Sequence, residues 1–316
     1  MIYLVPMRPL YKVIIYSLSV FTVACGPQVG QRVTDTPTSG SINIVADDEF
    51  MPLTLAEVNA YMGLYAKTTI HPIFKPEDSA FSSFLNDSVR LIVSSRKLLP
   101  SEEDILKSKK LVPEQVKIAS DAIVFIVNND NSDTLLGLDQ LKDIFGGKDS
   151  LWQQMNASPV KGKINVVFDH ENSGNSRYLQ QTLVRGQKFS SWCFALHNDN
   201  EVIDYVNKNV NALGVISLNR ISNVYDSAVI KALQKVKVVA LSAKSSINTG
   251  FYFKPIMDNI LTQQYPLCRD IYIISREPYT GLGSGFLSFV ASDKGQRVIY
   301  REGLLPARMP SHNLHF

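Results

Sequence analysis

The sequence predicts an α/β protein with parallel sheets, large enough for two domains, and three observations carry that prediction. Short β-branched runs alternate with stretches of helical spacing from Ser41 to Glu302, the rhythm of strands laid side by side with helices on their faces. The chain has 316 residues, and a single hydrophobic core stops growing near about 250–300 residues. Its composition, 45% apolar and 19% charged, is that of a folded globular chain.

A leader precedes the first element. Arg8 and Lys12, with no acid nearby, stand before the uncharged run Val13–Ala24 (VIIYSLSVFTVA). A run of that length spans about 18 Å as a helix, short of the ~20 residues a bilayer crossing requires. Residues 1–24 are therefore expected to be a signal peptide and not a membrane-spanning helix. Thr22-Val23-Ala24 leads into Cys25 as in a lipoprotein processing site, with Thr where Leu is usual; the alternative is ordinary cleavage near Ala24 with Cys25 as an incidental thiol. Gly26–Gly40 (GPQVGQRVTDTPTSG) has no apolar periodicity, so residues 25–40 are expected to form a lipid-anchored flexible tether. Loss of Arg8 and Lys12 lowers the formal charge from +3 to +1. Such a chain lacks the basic surface of a nucleic-acid binder, and any anion must be held by local donors.

Order begins at Ser41–Ala46 (SINIVA), a strand, followed by Asp47-Asp48-Glu49 and a helix over Met51–Ala66. Thr69–Phe74 is predicted as a strand, Asp78–Leu85 as a short helix and Val89–Ser94 as a strand. A helix opens at Ser101, where Asp104 three residues on suggests a capping box. Lys117–Val127 is a long β-branched strand. Thr134–Phe145 is predicted as a helix stopped by Gly146-Gly147. The second part continues with strand Lys163–Phe168, helix Ser176–Val184, helix Asn200–Lys208, and strands Ala212–Ser217, Val236–Ala240 and Tyr265–Ile274. Gly285–Glu302 is the expected final helix.

Cys193 and Cys268 lie in apolar contexts (SWCFAL and YPLCRDIYI), as buried free thiols do. The five histidines, His71, His170, His197, His312 and His315, show no metal-ligand spacing, so neither metal nor cofactor is expected. Gly281-Leu282-Gly283-Ser284-Gly285 lacks the Lys-Ser/Thr of a phosphate loop and reads as a turn entering the last helix.

Four segments, in order, resemble the phosphate-binding proteins of bacterial ABC importers. They are Ser94-Ser95-Arg96 with Pro100-Ser101-Glu102-Glu103; Ala119–Asn128 leading to Leu138–Lys148 and Trp152; Asn172-Ser173-Gly174-Asn175-Ser176-Arg177; and Tyr265–Arg269 with the Ser292–Pro306 tail. The second is the most specific, and the likeness runs from about Ser41 to Pro306. It implies a two-lobed type II periplasmic-binding fold with the second lobe inserted in the first: residues 41–127 with 266–316 as lobe 1, and 128–265 as lobe 2. It further implies a monomeric, periplasm-facing lipoprotein of the cell envelope, a cleft for a small oxyanion such as phosphate, and a membrane permease as partner.

The residues of the implied cleft suit that chemistry. Backbone N–H groups at helix starts and small hydroxyls can converge on an oxyanion without bulk. Asp48, Glu49 and Phe50 form the loop after the first strand. Ser94 and Ser95 follow a strand, with Arg96 as a charged donor. Ser173, Gly174, Asn175, Ser176 and Arg177 stand at a helix start, where simple capping is the alternative role. Two segments depart from the family. Asp169-His170-Glu171 stands where an Arg is usual, and Asp47-Asp48-Glu49 replaces a Ser-, Thr- and Gly-rich loop. Acids beside an anion repel it unless they accept a ligand proton. Arg177 could replace the missing cation or pair with Glu171. The altered loops also suit a second reading, an envelope or signalling protein that kept the fold and changed or lost its ligand. A hydrolase built on Asp169, His170 and Ser173 is disfavoured, because residues so close on one loop do not normally reach triad geometry; no catalytic residues are expected.

Overall fold

The computed structural model describes residues 35–155, 158–243 and 251–311; the leader, Cys25 and most of the expected tether lie outside them. The chain runs β1 (Gly40–Asp47), a 3₁₀ turn at Asp48–Phe50, α1 (Met51–Leu64), β2 (Thr68–Lys75), α2 (Glu77–Leu85), β3 (Leu91–Ser94), α3 (Pro100–Ser108) and β4 (Glu114–Asn128). It continues with β5 (Leu135–Gly137), α4 (Leu138–Gly146), β6 (Asn165–Phe168), α5 (Gly174–Leu183), β7 (Cys193–Ala195), α6 (Asp199–Lys208) and β8 (Ala212–Ser217). It ends with α7 (Ser227–Lys235), β9 (Val236–Val238), β10 (Ala240–Ser242), α8 (Met257–Leu261), β11 (Cys268–Ser275), α9 (Leu282–Ala291), α10 (Asp293–Arg301) and β12 (Leu305–Pro306).

The strands order as β2-β1-β3-β11-β4-β8-β6-β7, with β12 and β9 also paired to β4. β4 is the spine. Up to Ala122 it pairs antiparallel with β11 and β12; from Ile123 onward it pairs antiparallel with β8 and β9. One continuous strand therefore belongs to both halves of the sheet. The chain builds the first half with β1–β4, leaves for β5–β10, and returns with β11. Residues Ile118–Asn128 are buried throughout, as a strand covered on both faces must be, which explains the continuous apolar run Ala122–Val127. The sheet is parallel only within each half (β1 with β2 and β3, β8 with β6, β6 with β7). The parallel pairing expected of the sheets holds within each half; at β4 and β11, where the chain passes between the halves and returns, the pairing is antiparallel.

Several local expectations are also corrected. Leu99, not Ser101, precedes the first turn of α3: Pro100 opens the helix and the Glu102 carboxylate accepts the Leu99 N–H at 2.7 Å. Leu135–Gly137 pairs in parallel with β10, so the segment expected to be helical from Thr134 begins as a strand. The single final helix is two, broken at Ser292, where an extended backbone turns the chain. Gly295 allows the second to abut the first, since a Cβ there would come within 2.5 Å of Phe289 O and Val290. Cys193 and Cys268 are free thiols, half-buried instead of buried.

Residues 35–40, expected in the tether, are packed. Asp35 is buried and accepts hydrogen bonds from Arg90 Nη1 (2.7 Å), Leu282 N (2.7 Å) and Tyr279 Oη (3.0 Å). Tyr61 donates its hydroxyl to the Pro37 carbonyl. Among the described residues, no helix is long and apolar enough to cross a membrane.

Candidate functional site

The segments singled out in the sequence meet where strands of both halves end, the usual position for ligands in open α/β sheets. From the first half come the Asp47–Phe50 loop after β1, Ser94 and Ser95 at the end of β3, and Glu77 opening α2. From the second come Ser173–Arg177 at the start of α5 and Asn219 in the 3₁₀ turn after β8.

α5 begins as its sequence directs. Ser173 caps it, its hydroxyl accepting the Ser176 N–H at 3.1 Å, which leaves the Asn175 N–H pointing out of the helix. That N–H donates to Glu49 Oε1 at 2.6 Å. Glu49 Oε2 accepts from Arg269 Nη2 at 2.5 Å, and Arg269 also donates through Nε (3.0 Å) and Nη2 (2.8 Å) to Asp121 Oδ2. The Asn219 amide donates to the Glu49 carbonyl at 2.8 Å. Phe50 is buried, its ring centroid 5.2 Å from the Arg269 guanidinium carbon.

A second carboxylate organises the other side. Glu77 Oε1 accepts from Ser94 Oγ (3.0 Å), Ser95 Oγ (2.7 Å) and Arg177 Nη2 (3.2 Å), while Arg177 Nε donates to Oε2. Arg177 therefore pairs with Glu77 and not with Glu171. Arg96, expected to face an anion, is held instead by Glu102 at 2.7 and 2.9 Å, lies 3.6 Å from Glu77, and stacks on Phe81 with 3.5 Å to the ring centroid. His170 Nε2 is 2.9 Å from Asp48 Oδ2, so Asp169, His170 and Ser173 form no relay.

Gly174, in the second half, lies against side chains of the first. A Cβ there would come within 2.8 Å of Asp47 Oδ2, 2.9 Å of Ser95 Oγ and 3.1 Å of Arg269 Nη1, so only glycine admits this approach. Around it, buried polar atoms stand without partners: Asp47 Oδ2, Arg269 Nη1, and both the Oδ1 and Nδ2 of Asn175. Unsatisfied buried polar groups are rare and mark functional positions. With donors and acceptors both present, the arrangement can hold a small polar ligand that accepts from Arg269 and Asn175 and donates to Asp47.

The acids shape its electrostatics. Burial, reinforced by Glu49 and Glu77, raises Asp47 well above the carboxylate range. Burial likewise pushes Glu49 upward, against the pull of the Arg269 guanidinium that it faces, and raises Asp169 and Asp199 to about 7. Burial opposes the charge on Arg269, but the facing acids Glu49 and Asp121 outweigh it and hold the guanidinium charged. Burial also works against Glu77, yet Arg177 and Ser95 keep it below its ordinary value.

Glu77, Asp121 and Arg269 were not among the residues singled out. The signal for the last two was present: an acid inside Lys117–Val127 and an arginine inside Tyr265–Ile274 are charges in buried strands, and each requires the other.

Comparison with known proteins agrees with this architecture. A phosphate-binding protein PstS of Staphylococcus epidermidis is 26% identical over 222 residues, covering 69% of this chain and 64% of the relative. One of Staphylococcus aureus is 26% identical over 223 residues with the same coverage. The matches thus span less than two thirds of these relatives' own length. Among solved structures, a phosphate ABC transporter substrate-binding protein of Clostridium perfringens with bound phosphate superposes with a TM-score of 0.70 at 22% identity, covering 85% of this chain and all of that one. An ABC-type phosphate transport receptor of Vibrio cholerae gives 0.64 at 19%, covering 84% and 100%. The fold is accordingly the two-lobed α/β fold of these binding proteins, and with residues 32–294 matched, the chain belongs to the family described as the PBP superfamily domain.

Proposed function

We propose that this chain is a solute-binding protein, not an enzyme, that captures a small oxyanion in the cleft between its two lobes for an ABC importer. Phosphate is the first candidate, because the relatives by sequence and by fold are named for binding it. The observation that carries the reading is the convergence on Gly174 of Ser95, Arg269 and the start of α5, with buried donors on Arg269 and Asn175 that lack partners. In this reading lobe 1 comprises residues 41–127 and 266–316, lobe 2 comprises 128–265, and the ligand is held by Ser94, Ser95, Arg269 and the Ser173–Asn175 helix start, beside the Asp48–Phe50 loop. The leader and Cys25 support export and lipid anchoring of a monomer facing the periplasm.

The acids favour one alternative, an envelope or signalling protein with altered specificity. Asp47, Glu49 and Asp169 crowd the place where an anion would lie. Thermal unfolding of the full chain with phosphate, sulfate and other small oxyanions separates the two. A ligand that binds only the folded state adds about 2.7 kcal/mol at a hundredfold excess over Kd, a shift of several degrees. Stabilisation by phosphate supports the transport reading, and no shift with any oxyanion supports the alternative.

A further inference from the structure

Two of the donors that would grip an oxyanion are already engaged, and one carboxylate engages both. Glu49 takes the free N–H of the α5 start and one arm of Arg269, at 2.6 and 2.5 Å. A carboxylate makes the same demands on charged and backbone donors as one face of an oxyanion. Glu49 lies in the loop after β1 while Asn175 opens α5 in the other half, so this contact closes the cleft. The Asn219 amide on the Glu49 carbonyl fastens the same loop to the second half again.

We propose that Glu49 is the residue that sets the affinity of the cleft: its side chain is a built-in competitor that occupies the oxyanion position and closes the cleft on itself until ligand displaces it. The competition rests on the oxyanion reading above; the self-closure does not. An independent observation shows that the occupancy is partial. Arg269 Nη1 and the Asn175 side-chain amide are buried beside Glu49 and have no partner. A two-oxygen carboxylate on a short stem leaves them unsatisfied, whereas a tetrahedral oxyanion has oxygens to spare for them. Ligand exchange therefore replaces the contacts of Glu49 and adds these, so an incoming anion can win although the site is filled. An internal competitor divides the apparent affinity by one plus the ratio of self-closed to open molecules.

The test measures phosphate and sulfate affinity by calorimetry, and amide hydrogen exchange over Gly174–Arg177 without ligand. It compares the full chain with Glu49→Gln and with Glu49→Asp, which keeps the charge beside Arg269 but shortens the reach. We expect at least tenfold tighter phosphate binding in both variants and faster exchange at Asn175. Binding equal to or weaker than that of the unaltered chain, in variants that unfold cooperatively, overturns the competition. If neither the chain nor its variants take any oxyanion, the proposed function fails, and exchange alone judges Glu49. Faster exchange at Asn175 then upholds self-closure, and unchanged exchange overturns it.

Discussion

Arg177, on the first turn of α5, forms an ion pair with Glu77 at the opening of α2, and its Nη2 lies 2.8 Å from Ser95 Oγ. The contact joins the two halves of the sheet through one buried carboxylate. Its removal leaves Glu77 buried with only the more distant Arg96 as a charged partner. Arg177→Met is expected to destabilise the fold by about 2–4 kcal/mol at pH 7, read by urea denaturation. The pH dependence has a definite sign. Burial opposes ionisation of Glu77, but Arg177 overcomes it and sets the folded pKa below the ordinary 4.5. The stabilisation is therefore present above pH 4.5 and is lost as pH falls through the folded value. Arg177→Met should move acid unfolding to higher pH; an unchanged acid midpoint would contradict this account.

Gly174→Ala tests the closeness of the cleft. The new methyl group meets Asp47 Oδ2, Ser95 Oγ and Arg269 Nη1, which are side-chain ends and can retreat. Folding should survive with a melting temperature within a few degrees. Phosphate affinity should fall at least tenfold, because the retreat moves the donors that converge there. Calorimetry showing undiminished binding would place the ligand elsewhere.

Much of this site was legible in the sequence. The Ser173–Arg177 helix start announces itself by its cap, and Ser94 and Ser95 by following an apolar strand. The partners of these residues were less legible, because a carboxylate 100 positions away, such as Glu77 for Arg177, leaves no local pattern. Glu77 also lies one residue before the helix expected over Asp78–Leu85. The α/β alternation was legible from spacing and the two lobes from the family resemblance, whereas the antiparallel entry of β11 depends on where the chain returns.

Glu57 offers a test away from the cleft. It is buried in α1, neither carboxylate oxygen has a partner, and its neighbours include Leu53, Val93, Ile118 and Phe286. Burial, helped by Glu302, raises it from 4.5 to about 9. The folded chain thus holds a proton that the unfolded chain releases, and stability falls as pH rises from about 4.5 toward 9. Glu57→Met should raise stability by about 1–4 kcal/mol at pH 8, with the gain shrinking toward pH 4.5. Denaturation curves with parallel pH slopes for both proteins would refute this.

Gly214 in β8 lies under α6, where a Cβ would come within 2.7 Å of both Ile126 and Val206. Gly214→Ala should cost about 1–3 kcal/mol through overpacking, visible as a lower urea midpoint with an unchanged slope. Ligand affinity should stay the same, since the contact lies in the core and not in the cleft.

The unbroken course of β4 limits how this molecule can move. A cleft hinged on flexible loops swings freely, but here the strand passes from β11 to β8 between Ala122 and Ile123 without leaving the hydrogen-bonded ladder. Any change in the angle between the halves would have to be absorbed as torsion along this buried ribbon. β4 thus ties the two halves together as one covalent, buried strand, in addition to the carboxylate contacts that cross between them.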